Sequence, residues 1–341
     1  AGGSSIQEAK GIEDSPAALY KYWMEKGSYK IDSEMASLIA GMAPANIEWL
    51  MENGVPMTPE TLVHGSWSPK DPERFHRAVG GGAGLILPLV ETAEKLGVKI
   101  LYNTRATELV LEGDRVVGVK AEGQTSLVKA KVVILATGGF GANPEFLAKY
   151  APDFVNAVPI TTPGNMGDGL MMAEAVNAMT SDVFSAIGYF TTPVSLSPNV
   201  YVNTQGQRFL DETIFYGLKA EALIKNDGIA YDIFDQTFVN SLSEANQTAV
   251  AQAVEKGTIV KGDSLADLAH KLDIPADALE ATISEFNANT KAGFDPHYYR
   301  DANTMRTVEN GPFYGMPVQL AHLGSIGGIV TNIDAQVLNV N

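Results

Sequence analysis

Residues 132–136, Val-Val-Ile-Leu-Ala, form an unbroken apolar run that stops at Thr137-Gly138-Gly139. Such a run reads as a strand buried on both faces and predicts one over 127–136. The glycines let a backbone approach a bulky ligand without a Cβ in the way, at the strand end where open α/β sheets place ligands. An ordinary turn after a buried strand accounts for the same residues equally well. Upstream, residues 13–53 have helical spacing. Leu19, Tyr20 and Trp23 form one cluster, and Ile39, Met42, Ile47, Leu50 and Met51 form another that ends at Gly54. Residues 85–96 repeat apolar positions at helical spacing, with Gly97 as the residue beyond the helix end. Residues 98–102 read as a short strand, and 107–111 and 115–119 as a hairpin around Glu112-Gly113-Asp114. This alternation fits an α/β nucleotide-binding domain.

The second half changes character. Residues 200–203 and 207–210 flank Thr204-Gln205-Gly206 as a hairpin, and 229–234 read as a further strand. Leu265, Leu268 and Leu272 share one helical face behind a cap at Asp263 or Ser264. Leu279, Ile283 and Phe286 mark a second helix opened by Pro275. Residues 287–312 are polar and irregular, and 326–332 return to a glycine-strand pattern.

A length of 341 residues accommodates two domains, and 45% hydrophobic content supports a sizeable core. The net charge of -16 argues against nucleic acid and anionic membrane surfaces as partners. No apolar run reaches the roughly 18 residues of a membrane span. With no cysteine, disulfides, thiolate metal sites and cysteine nucleophiles are excluded. The five histidines, His64, His76, His270, His297 and His322, have no metal-ligand spacing.

Three segments remain as candidate chemistry. Gly80-Gly81-Gly82-Ala83-Gly84 precedes a helix, but no strand precedes it, so it fits a ligand-facing loop or a plain flexible one and not a dinucleotide fingerprint. Pro163-Gly164-Asn165-Met166-Gly167-Asp168-Gly169 leads into a helix over 170–179, where Asp168 serves either a ligand or as the helix cap. Tyr216 follows Asp211-Glu212-Thr-Ile-Phe. It reads as a packed aromatic, or as a general acid or base if its surroundings suit proton transfer.

In order and spacing these segments, together with Ala1-Gly2-Gly3, Asn103-Thr104-Arg105-Ala106, Val202 onward to Glu212, Gly311-Pro-Phe-Tyr314 and the glycines from Gly324 to Gly328, resemble one family over nearly the whole chain. It is the fumarate reductase-like FAD-dependent flavoproteins: flavocytochrome c fumarate reductases, urocanate reductases and 3-ketosteroid dehydrogenases. The resemblance implies an α/β fold, a partial Rossmann-like FAD-binding domain (1–180 and 324–341) with an inserted α+β clamp, or capping, domain (181–323). It implies FAD as cofactor, contacted by Ala1, Gly2, Ala106, Thr137, Gly138 and Asp168. It also implies substrate contacts at Gly82, Ile187, Tyr189 and His322, a small-molecule substrate, and an electron-donor protein or domain.

Departures from the family refine this. The family's G-x-G-x-x-G loop, acidic ribose ligand and closing flavin-binding segment are absent from these residues, so the resemblance implies an incomplete flavoprotein that binds FAD weakly or not at all by itself. Tyr216 stands where fumarate reductases place a proton-donating Arg, and Ile187 where they place a substrate-clamping His. Ketosteroid dehydrogenases carry a Tyr at the Tyr216 position and a turn like Leu323-Gly324-Ser325. The expected function is an FAD-dependent oxidoreductase that forms or reduces a carbon–carbon double bond beside a carbonyl, with hydride through flavin N5 and a proton through Tyr216. The alternatives are a fumarate- or urocanate-type reductase of an unsaturated acid, and a non-catalytic fragment that binds no flavin.

Overall fold

The structure, a computed structural model, describes residues 1–64, 71–123 and 127–340. Its packing divides into two units, Ala1–Val133 with Val330–Asn341, and Ile134–Ile329.

In the first unit, helix α1 (Ser5–Ala9) opens with a capping box: the Ser4 hydroxyl accepts from Gln7 N–H, and the Gln7 side chain accepts from the Ser4 backbone. Helices α2 (Pro16–Lys26) and α3 (Ser33–Glu52) pack on each other. Ile6, Ile47 and Leu62 form a small core. Strands β1 (Leu62–Val63) and β2 (Phe75–His76) pair antiparallel. Helix α4 (Gly81–Lys95) starts one turn before the expected 85–96, because Gly80 takes a left-handed conformation, φ 84°, and turns the chain into it. The hairpin expected at 107–119 is present as β3 (Ala106–Glu112) and β4 (Arg115–Ala121), and β5 (Leu127–Lys129) adds a third antiparallel strand.

Two expected strands are not formed. Residues 98–102 are irregular, and beyond β5 the chain over 132–139 makes no sheet pairing among the described residues. Val132 and Ile134 are 73% and 84% exposed. Apolar continuity marks residues that favour burial, but a strand also needs neighbours for its N–H and C=O groups. Among the described residues no strand flanks this run.

The second unit contains α5 (Pro144–Tyr150), β6 (Val158–Pro159), α6 (Asp168–Glu174), β7 (Ser185–Thr191), β8 (Val200–Val202), α7 (Tyr216–Ile224) and β9 (Ile229–Asp235). There follow α8 (Gln236–Ser241), α9 (Glu244–Glu255), β10 (Val260–Gly262), α10 (Leu265–Leu272), α11 (Ala276–Ala292) and β11 (Phe313–Ile326). Strand β11 organises the sheet. It pairs antiparallel with β10, β9 and β7 and parallel with β6, and β8 lies beyond β9. Tyr314 and Met316 of β11 belong to a core with Phe234, Phe238 and Ile259, while Val318 and Leu320 belong to one with Phe140, Leu223 and Tyr201. The amphipathic helices α10 and α11 are as expected, with Ser264 as the α10 cap accepting from Asp267 N–H. They bury Leu268, Leu279, Ile283 and Phe286 against Val200, Val202 and Ile233.

Other expectations are corrected. Residues 207–210 contribute one bridge, Val202 to Arg208, and no strand. Helix α6 ends at Glu174, short of 179, and residues 327–332 make isolated bridges after β11 ends. The polar stretch at 287–312 begins inside α11, which continues to Ala292.

Beneath the sheet lies a buried charge cluster. Glu212 accepts from Arg208 Nε and Nη2 at 2.8 and 2.9 Å and from Arg300 Nη1 at 2.7 Å. Its Oε1 also accepts from Tyr201 N–H at 3.1 Å. Asp295 pairs with Arg208 at 2.8 Å. Removing one partner of a buried pair strands the other charge, at a cost of about 3–5 kcal/mol. Arg300→Met is therefore expected to lower the unfolding free energy by about that amount in urea titration. A change below about 1 kcal/mol, the range of an exposed pair, would show that the cluster contributes little.

Asp232 on β9 is also buried. One oxygen accepts from Asn199 N–H at 3.0 Å, and Oδ2 has no partner among the described residues. Burial pushes its carboxyl up to about 8. An unfolded Asp titrates at about 3.9, so the unfolded chain gives up this proton first and stability falls as pH rises between the two values. Asp232→Asn should match the wild type near pH 4, gain on it up to about pH 8, and gain no more above that. Thermal melts of both proteins across this range test it, and a pH-independent difference would contradict it.

Candidate active site

Three segments far apart in sequence meet in the second unit, with neighbouring side chains packed close over the glycines. A Cβ on Gly138 would lie 2.3 Å from Asn165 Oδ1, one on Gly139 2.0 Å from Ser325 Oγ, and one on Gly169 2.1 Å from Thr137 Oγ1. Gly167 N–H donates to Gly139 O at 3.0 Å, and Phe140 N–H donates to Ser325 Oγ at 3.1 Å. The Thr137–Gly138 loop, the glycine-rich loop before α6 and the turn at the end of β11 are thus joined by hydrogen bonds. A Cβ on Gly164, Gly324 or Gly328 would meet open space. The cradle therefore presents bare backbone, which suits a flat, bulky ligand. Asp168 is the first residue of α6, and the position before it is Gly167 in a left-handed conformation. The helix-cap role is thus taken by Gly167, not by the Asp168 side chain.

Tyr216 is the first residue of α7 and half-buried. Its ring lies 4.9 Å from Tyr189 in a T-shaped contact and 5.6 Å from Phe190, and Tyr189 and Phe190 stack at 5.3 Å. The ring contact sets the two phenols side by side. Burial raises the pKa of Tyr189, and the adjacent Tyr216 raises it further. Ile187, two residues before Tyr189 on the same strand face, is exposed, as are Phe215 and Leu218 beside Tyr216. The patch is aromatic and aliphatic, with a phenol pair at its centre.

His322 lies on β11 opposite Gly188 and is fully buried. Its ring packs edge-on to Phe154 at 6.3 Å, neither nitrogen has a partner among the described residues, and burial lowers its pKa. The imidazole is sealed from solvent in this conformation.

Lys219, which the sequence reading passed over, stands one turn after Tyr216 and is 3% exposed. Its Nζ donates to Glu212 O at 2.9 Å and lies 4.4 Å from the Phe190 ring centroid and 5.2 Å from that of Tyr201. The available signal was its i+3 spacing from Tyr216 on an otherwise apolar helix face.

The remaining candidates belong to the first unit. The Ala1 amine donates to Arg74 O at 3.1 Å. Gly2 is buried, and a Cβ there would lie 2.6 Å from Ser15 O. Gly82, in the first turn of α4, faces open space. Ala106 begins β3, paired with Ala121.

The profile of the FAD binding domain family matches residues 2–341. The chain is 31% identical to the urocanate reductase of Eggerthella lenta, over 98% of this chain and 58% of that protein. It is 29% identical to the 3-oxosteroid 1-dehydrogenase of Mycolicibacterium smegmatis, over 76% and 54% of the two. The open conformation of a flavocytochrome c3 fumarate reductase superimposes with a TM-score of 0.80 at 25% identity, over 99% of this chain and 61% of that one. The chain spans about a third to three fifths of the length of the curated relatives it matches. A bare glycine cradle, an FAD-binding and capping architecture and a profile match along nearly every residue have one explanation: the chain belongs to the FAD binding domain family, and its cofactor is FAD.

Proposed function

We propose that the protein containing this chain is an FAD-dependent oxidoreductase that forms or reduces a carbon–carbon double bond adjacent to a carbonyl, on a ring-bearing, uncharged substrate. The observation that carries this reading is the Tyr216–Tyr189 phenol pair within the Phe190, Ile187 and Phe215 patch. A dicarboxylate is recognised through charge-assisted bonds to cations. Here the positions that a diacid reductase would fill with Arg and His hold Tyr216 and Ile187.

When bound, FAD supplies hydride chemistry at its N5. The chain's own part is to hold the substrate and manage the proton. Tyr216 exchanges it at the carbon next to the carbonyl, and Tyr189 holds the Tyr216 ring through their T-shaped contact. Cofactor contacts are proposed for Ala1, Gly2, Ala106, Thr137, Gly138 and Asp168. Ile187 and Tyr189 are proposed to line the substrate, with Gly82 as a further contact. His322 would join them only if its ring opened away from Phe154. Residues 181–323 are the proposed limits of the clamp, and an electron-donor protein or domain is the proposed partner.

A second reading, reduction of an unsaturated acid, draws on the urocanate reductase likeness. A panel of cyclic enones, saturated cyclic ketones and unsaturated acids, offered to the flavin-loaded protein, separates the two. Turnover confined to the acids would overturn the first. Absence of bound flavin in the visible spectrum would favour a chain without catalysis.

On the favoured substrate, Tyr216→Phe is expected to lower kcat by about 10²–10⁴-fold with KM little changed, as for loss of a positioned acid or base. Flavin absorbance should be retained. Wild-type kcat in the variant, measured where chemistry limits the rate, would remove Tyr216 from the mechanism.

A further inference from the structure

His322 stands on β11 with its ring sealed from solvent and neither nitrogen partnered among the described residues. Three surfaces enclose it. Phe154, from the turn at Pro152–Phe154, packs edge-on at 6.3 Å. Gly188 of β7 pairs opposite it, and a Cβ there would lie 3.3 Å from Phe154 Cζ. A Cβ on Gly141 would lie 3.4 Å from His322 Cε1 and 3.1 Å from Gly324 Cα. The ring therefore occupies the joint between the 140–141 segment and the end of β11. Hydrogen bonds close the joint beside it: Phe140 N–H donates to Ser325 Oγ at 3.1 Å, and Ile160 N–H donates to His322 O at 2.8 Å. The ladder between β7 and β11 is interrupted from His322 to Ser325, so that pairing does not secure Leu323 and Gly324.

A buried imidazole without partners is tolerated only in its neutral form, because a charge there would have no counter-ion and no hydrogen bond. Burial is the cause that lowers its pKa. No ionisable side chain on the surrounding elements bonds to it among the described residues. Asp153 of the turn and Glu221 of α7 are exposed, and Tyr150 of α5 stacks on Phe184. Tyr189 of β7 packs on Tyr216, and Lys219 of α7 rests on the Glu212 carbonyl.

We propose that His322 is an acid-sensitive latch in the glycine cradle: its neutral ring holds the 140–141 segment against the end of β11, and a proton taken from solvent drives the ring out to water and opens the Phe140–Ser325 closure. The loosened segment continues directly from Thr137 and Gly138, so acid slackens the cradle from beneath. An exposed imidazole takes up its proton at about pH 6.5. The open state then binds a proton that the closed state refuses, so opening gains as pH falls below about 6.5, by at most about tenfold per pH unit for one proton. Above that pH the latch stays shut. The inference is independent of the role proposed for Tyr216.

Hydrogen–deuterium exchange of the purified protein, read by mass spectrometry and corrected for the intrinsic pH dependence of exchange, tests this from neutral pH down to about pH 5. Opening of residues 139–142 and 322–326 is expected to stay constant down to about pH 6.5 and then to rise, approaching about tenfold per pH unit. His322→Phe keeps a ring in the space but takes no proton, and should abolish the rise. His322→Leu substitutes if the Phe variant does not fold by circular dichroism. His76, the other histidine whose pKa burial lowers, is unchanged in these variants. In the wild type, NMR of carbon-labelled histidine should show His322 titrating only together with loss of protection. Opening that is the same at every pH in the wild type, or a rise that persists in a folded variant, overturns the inference. So does a His322 that titrates at its ordinary value while the segment stays protected. A rise present in the wild type and absent from the variant supports it, whatever the substrate panel shows.

Discussion

The Glu212 carboxylate is the anchor on which the candidate chemistry depends. It receives two guanidinium groups and the Tyr201 backbone amide, and so ties β8, the segment before α7 and the loop after α11 into one buried knot. Four residues further along the chain stands Tyr216. The Glu212 carbonyl also holds the Lys219 ammonium. One residue therefore fixes the start of α7 from its side chain and from its main chain. Charge balance makes this tolerable: Arg208 and Arg300 offset Glu212 and Asp295, so the cost of burial is spread over short, mutually satisfying contacts.

The glycine cradle obeys a different constraint, that of distance. At Gly138, Gly139 and Gly169 a Cβ would run into the Asn165, Ser325 and Thr137 side chains of the neighbouring segments. At Gly164, Gly324 and Gly328 the same loops face open space. One set closes the protein against itself, and the other leaves a surface of backbone. This second property made the glycines informative as ligand candidates, while the first would have made them necessary in a protein with no ligand at all.

What the sequence disclosed follows from how local each feature is. Helices α10 and α11 were legible because Leu265, Leu268 and Leu272, and then Leu279, Ile283 and Phe286, fall on single faces with Ser264 and Pro275 at their starts. The hairpin of β3 and β4 was legible from its turn. Strand β11 was not: its pairing partners come from far along the chain, and with residues buried on both faces it shows no alternation. Residues 132–136 misled for the converse reason, since their composition favours burial but no strand pairs with them among the described residues. Tyr216 and Tyr189 were singled out through family resemblance, as proposed site residues. Lys219 was missed because a lone lysine in an apolar helix carries no motif, and only its packing on Phe190 gives it meaning.

Comparing the positions that define a diacid reductase with their occupants here turns these contacts into a statement about charge. The family resemblance implies that Tyr216 and Ile187 stand where a diacid reductase places its cations, and on that reading the patch offers apolar area and phenols in place of positive charge. Lys219 is buried, with its ammonium against the Phe190 ring and on the Glu212 carbonyl. A surface cation recognises the charge a substrate brings with it. A buried one, covered by an aromatic ring, is withdrawn from direct contact with a substrate, so recognition at this patch would fall to apolar contact and to the phenol hydroxyls.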